Sequence, residues 1–107
     1  MYATIRRYTA KEPDKTKETF DSLKRRIEEN FVPTLQDVQG FHCYYVVNSD
    51  DRELVTISIF ENRTGAVEST RRAAEFVGKD PLKDQLSTPE IIEGELLLSK
   101  EAAVGTH

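Results

Sequence analysis

The chain of 107 residues has no tryptophan, one cysteine (Cys43), one methionine and two histidines. A lone cysteine cannot form an intrachain disulfide, which excludes a disulfide scaffold and fits a reducing, cytosolic setting. No apolar run approaches the ~18 residues a membrane-spanning helix needs. The opening MYATIRRY also lacks the continuous apolar stretch of a secretory signal. No His and Cys spacing resembles a metal-ligand set, so no metal is expected. The five glycines are isolated, so there is no glycine-rich phosphate loop and no dinucleotide motif. Basic charge is not in surplus: the formal charge is −4. That argues against a nucleic-acid partner, since such proteins carry a basic footprint.

What is present describes one small globular unit. Hydrophobic residues make up 37% and charged residues 32% of the chain. This length predicts a single domain, assigned to residues 1–100, with 101–107 as a tail that has little to bury. Residues 1–10 carry a net +2 from Arg6 and Arg7, whereas residues 80–107 carry two basic against six acidic side chains. The surplus acid therefore gathers at the C-terminal end.

Periodicity predicts the elements. Tyr2, Thr4, Ile5 and Tyr8 mark a strand over 2–8. Thr16, Phe20, Leu23, Ile27 and Phe31 recur every three or four residues and predict a helix over 14–31. Pro13 suits its first turn, and Pro33 is expected to end it. Gly40 is expected at positive φ. Strands follow at 41–47 and 54–60, joined by the turn residues Asn48 to Arg52. A second helix spans 62–77, capped by Asn62 or Thr64 and stopped by Gly78. Its stripe of Ala66, Val67, Thr70, Ala73, Ala74 and Val77 is made of small and mid-sized residues. Residues 80–86 allow one more helical turn. Ile91 to Ser99 is the last strand, with Gly94 as a candidate bulge.

The order β-α-β-β-α-β predicts an α+β, ferredoxin-like fold: a four-stranded antiparallel sheet with two helices on one face. Pairing Asn48 with Glu53 in the central hairpin would set Tyr45 opposite Thr56 and Cys43 opposite Ser58. One face then carries Phe41, Cys43, Tyr45, Val47, Leu54, Thr56, Ser58 and Phe60. The other carries His42, Tyr44, Val46, Val55, Ile57 and Ile59. Both are largely apolar, and two helices cannot cover both. An uncovered apolar sheet marks an interface, so a two-fold homodimer is expected.

Four features together are similar to the antibiotic biosynthesis monooxygenase-like family of dimeric α+β barrels. They are Pro33 after the first helix, GFHCYYV at 40–46, VTISIFEN at 55–62 and PEIIEGEL at 89–96. The likeness covers roughly residues 2–98. It implies a ligand cavity between each sheet and its own helices, bordered by the aromatic before the second helix, here Phe60. Ligand-lining candidates are then Phe41, Cys43, Tyr45, Thr56, Ser58 and Phe60. His42, Tyr44, Val46, Val55, Ile57 and Ile59 face the partner. Arg6 and Arg7 point to opposite faces of the first strand, so one must turn inward. Buried charge needs compensation, which Glu93 or Glu95 could supply, unless the arginine serves an anion or phenolate ligand.

The resemblance implies a flat or aromatic small-molecule ligand, and oxidation without metal, flavin or other cofactor. The haem-degrading members carry a Trp, an Asn on the first strand and a His on the second helix. This chain has Phe60 in place of the Trp, no Asn on its first strand and no His from Asn62 to Gly78, which argues against haem breakdown. A non-catalytic ligand-binding or stress-related dimer is the alternative.

Overall fold

The computed structural model describes residues 1–12 and 16–101. Pro13, proposed for the first helical turn, and 102–107 of the expected tail lie outside them. The elements run β1 (Tyr2–Thr9), α1 (Thr16–Arg26), a π-helical turn (Ile27–Phe31), α2 (Val32–Gln36), β2 (Phe41–Ser49), β3 (Glu53–Phe60), α3 (Arg63–Lys79) and β4 (Glu90–Glu95). A short 3-10 turn at Lys83–Gln85 precedes β4. The strands form one antiparallel sheet in the order β2-β3-β1-β4. This is the predicted ferredoxin-like architecture, with the helices on one face.

Phe20, Leu23, Ile27, Phe31 and Leu35 from the first helical segment fill the core against Tyr8, Leu54 and Phe60 from the sheet. Against expectation, Pro33 does not end that segment but lies in the first turn of α2. A proline lacks an N–H, and its ring collides with the carbonyl four residues back in a regular helix. The π turn relieves this conflict: the Val32 N–H reaches Ile27 O, five residues back. α3 is capped by Asn62, whose side chain accepts from the Gly65 N–H at 3.2 Å. It runs one residue past the expected stop at Gly78. Asp80 then closes it, accepting both Arg26 nitrogens at 2.7 and 2.9 Å and tying the end of α1 to the end of α3.

The central hairpin departs from its predicted register. Asp50 and Asp51 both adopt positive φ, 53° and 55°, the backbone of a type I′ turn. Arg52 N–H closes it onto Ser49 O. Asn48 holds Asp51 in place, donating to Asp51 Oδ1 and accepting from the Asp51 N–H. Ser49 therefore faces Glu53, and Asn48 faces Leu54. A one-residue slip moves every side chain of a strand to the other face. Tyr44 and Val46 pack with the core, while Cys43, Tyr45 and Val47 turn to the open face. A register shift between Phe41 and Cys43 returns Phe41 to the helix side, where its ring lies 5.6 Å from that of Phe60.

β4 is shorter than expected and ends at Glu95. Its neighbour β1 begins at Tyr2, so pairing runs out after Leu96 N–H reaches Met1 O. Gly94 pairs regularly with Ala3 and forms no bulge. No helix among the described residues is long and apolar enough to cross a membrane.

Gly65 permits the close approach of α3 to the sheet. A Cβ there would sit 2.8 Å from Phe60 Cδ1, and Phe60 is fully buried. Gly65→Ala is expected to cost about 1–3 kcal/mol of stability, read as a lower urea midpoint. An unchanged midpoint would contradict this packing.

Candidate functional site

Alternation along β1 turns Thr4, Arg6 and Tyr8 toward the helices and leaves Arg7 outside. Arg6 is 1% exposed. Its guanidinium donates to Ser58 Oγ on β3 at 3.2 Å and to Thr70 Oγ1 on α3 at 3.3 Å. Thr70 in turn donates to Glu93 Oε1 on β4 at 2.9 Å. Glu93 thus meets Arg6 through a hydroxyl and not by the direct ion pair that the sequence suggested. Among the described residues no carboxylate lies within ion-pair distance of Arg6. Arg7 is the structural member of the pair, bound to Glu53 at 3.2 Å and Glu90 at 2.6 Å on the exposed face.

Two spaces meet at Arg6 and Tyr8. One is an internal chamber of about 20 Å³ between sheet and helices, walled by Leu23, Ile27, Phe31, Tyr44, Leu54 and Thr56 among others. That is room for about one water-sized molecule. The other is a cleft of about 300 Å³ between α3, the 83–89 segment and β4, lined by Thr70, Ala74, Lys83, Ser87, Pro89 and Ile91 among others. Its size is at the lower end for small-molecule sites. Val77 and Leu86 also border both. Of these two spaces the cleft has room for a ring system, and the chamber only for a small group.

The chamber's polar lining comes from sheet residues Arg6, Tyr8, Tyr44 and Thr56, and the rest of its wall is apolar. Burial raises the Tyr8 phenol above its ordinary value, against the opposing pull of the Arg6 charge. Burial likewise pushes Tyr44 up to about 12, with Arg6 again opposing. Both phenols stay protonated at neutral pH. The buried Thr56 hydroxyl, close enough to Tyr44 to influence it, makes no hydrogen bond among the described residues. Phe31 closes the far wall. Its ring lies 5.7 Å from Tyr44 and 5.4 Å from Phe76.

The ligand-lining candidates therefore divide. Arg6 and Thr56 reach the chamber, and Ser58 holds Arg6 in place. Phe41 and Phe60 share the helix-covered face but pack against each other outside both spaces. Cys43, Tyr45 and Arg7 are on the other side of the sheet. Of the residues expected to face a partner, Val55, Ile57 and Ile59 do lie on the open face. Tyr44 and Val46 are on the helix side, because of the hairpin register. His42 sits at the register shift on the surface, its Nε2 3.7 Å from Glu61. Tyr8, Thr70 and the 83–89 segment were missed. Tyr8 was legible, since it stands two residues from Arg6 on one strand. The segment was not, because a loop's path has no periodicity. Among the described residues no cluster of three or more His, Cys, Asp or Glu could hold a metal ion.

The four-stranded antiparallel sheet with its helices on one face defines the fold class as ferredoxin-like α+β. Solved structures with the same fold include a monooxygenase from the gene ActVA-Orf6 of Streptomyces coelicolor, in complex with the ligand nanaomycin D. It is 13% identical, with a TM-score of 0.70 over 95% of this chain and 92% of that one. SnoaB, a cofactor-independent oxygenase from Streptomyces nogalater, is 13% identical, with a TM-score of 0.56 over 92% and 94% of the two chains. A dimeric ferredoxin-like protein from an uncultured marine organism is 10% identical, with a TM-score of 0.72 over 94% and 98%. At such identities the likeness establishes the fold alone. No family model matches the sequence, and no curated protein does.

Because the raised value of Tyr44 comes first from burial, its sign of linkage is defined. The neutral phenol is favoured in the fold, so its contribution is whole below pH 10 and is lost as pH rises from 10 toward 12. Tyr44→Phe is expected to flatten the alkaline fall in stability by about 1 kcal/mol between about pH 9.5 and 11, measured by urea unfolding across that range. Identical pH profiles would place the Tyr44 hydroxyl in water.

Proposed function

We propose that the protein is a cytosolic homodimer that binds a flat, apolar or aromatic small molecule in the cleft beside Arg6 and oxidises it without metal or flavin. The observation that carries this reading is the pair of adjacent spaces that share Arg6 and Tyr8 in their walls. The cleft has room for a ring system, and the chamber has room for a molecule the size of dioxygen. Apolar cavities of this kind take up small apolar guests. The structural neighbours lend support, since two of them are described as a monooxygenase and a cofactor-independent oxygenase.

In the reaction a phenolic substrate supplies every electron. It loses its phenol proton, and the electron-rich ring carbon attacks dioxygen. One oxygen atom remains on that carbon as a quinone carbonyl. The other leaves as water, with the hydrogens from the phenol and the ring carbon. The protein's part is to hold the ring, exclude water and stabilise the oxyanion. Oxygen uptake over a panel of quinols and polyphenols tests this, with turnover expected for at least one bicyclic or larger member.

Binding without turnover is the second reading. It is favoured by one observation: no His or carboxylate lines the chamber or the cleft among the described residues. Ligand binding with no oxygen uptake across the panel would select it.

The dimer rests on the open sheet face. Ile57 and Ile59 are only partly covered in the single chain, and Tyr45 and Ile92 are 56% and 57% exposed. A neighbour described as dimeric shares this fold. At micromolar concentration the protein is expected to sediment at twice the chain mass. Ile57→Glu is expected to give monomers, because it buries an unpaired carboxylate. A wild-type monomer would overturn the dimer.

A further inference from the structure

Arg6 is 1% exposed and makes no ion pair among the described residues, which makes its burial the outstanding feature of the molecule. Isolated charges are withdrawn from water only at considerable cost unless an opposite charge joins them. Ser58 and Thr70 supply oriented hydroxyl acceptors, but neither carries charge. The nearest link to an anion runs through Thr70 to Glu93, which is itself exposed. Nearby, burial keeps Tyr8 and Tyr44 neutral. No compensating anion lies beside it among the described residues, and Arg6 is one of the residues that line the cleft.

We infer that the site is selective for aromatic oxyanions: a flat ring system bearing one carboxylate or phenolate, with the oxyanion seated on Arg6. This inference rests on the proposed binding site and specifies its ligand class. A guanidinium presents paired donors in one plane, which suit the two oxygens of a carboxylate or the single oxygen of a phenolate. The Ser58 and Thr70 contacts fix that plane from two elements, so the donors are oriented before the ligand arrives. Lys83 at the cleft margin adds positive charge at the entrance. The ring would lie against Ala74, Val77 and Ile91, the apolar side of the cleft.

The test compares two probes of the same shape, 2-naphthoate and the neutral 2-naphthamide, by titrating their fluorescence, which no tryptophan obscures. Naphthoate is expected to bind at least tenfold more tightly than naphthamide. Arg6→Met should abolish that preference while naphthamide still binds, and Arg6→Lys should retain part of it. Arg7→Met, on the outer face, should leave the preference intact. Equal binding of the two probes to the wild type overturns the inference and leaves the binding site standing. So does a preference that survives Arg6→Met or disappears in Arg7→Met. Failure of both probes at millimolar concentration overturns the site itself. If Arg6→Met does not fold, the wild-type ratio alone decides, and a ratio below threefold refutes anion selectivity. 2-Naphthol, titrated across its own ionisation, separates the two oxyanion types: tighter binding only of the ionised form supports a phenolate, and indifference to ionisation argues against it.

Discussion

A buried guanidinium with no carboxylate paired to it among the described residues organises what lies around it. Arg6 is reached from β3 by Ser58 and from α3 by Thr70, and its charge is felt by both Tyr8 and Tyr44. Polar side chains on these elements would otherwise be a liability in a core this small. Grouped about one charge, they become a single hydrogen-bonding centre. The same grouping explains why the interior is not closed: the wall that holds Arg6 is the wall shared by the chamber and the cleft.

The sheet imposes the second constraint. Four strands with two apolar faces meet only one layer of helices. α3 covers the side that holds Arg6, and it comes close because Gly65 has no Cβ to strike Phe60. The other side offers Ile5, Val55, Ile57 and Ile59 from neighbouring strands to whatever covers it. Burial of that face by a second copy would complete the core without touching the ligand site. Binding and assembly then use opposite faces of one sheet.

Much of this was legible from residue patterns. The element order, the Asn62 cap and the positive φ of Gly40 all follow from local rules that the sequence displays directly. The hairpin register did not. Its turn depends on Asp50 and Asp51 adopting a left-handed backbone that aspartate tolerates but rarely announces, stabilised by Asn48. One residue of slippage exchanged Tyr44 for Tyr45 and moved Cys43 out of the interior. Pro33 misled for a related reason: a π turn, invisible in periodicity, accommodates it. For the site, strand alternation showed that one of Arg6 and Arg7 must be internal. Only the fold shows which, because the inner face is decided by where α3 packs. The cleft itself depends on the 83–89 segment, whose course is set by long-range bonds such as Ser87 N–H to Thr9 O.

The central claim is that Arg6 awaits an oxyanion in the cleft beside α3. A crystal structure of the protein with 2-naphthoate tests it most directly. The account predicts the carboxylate within hydrogen-bond distance of the Arg6 guanidinium and the ring between α3 and β4. Naphthoate bound elsewhere while the cleft stays free, or Arg6 swung onto a carboxylate of its own chain, would contradict it.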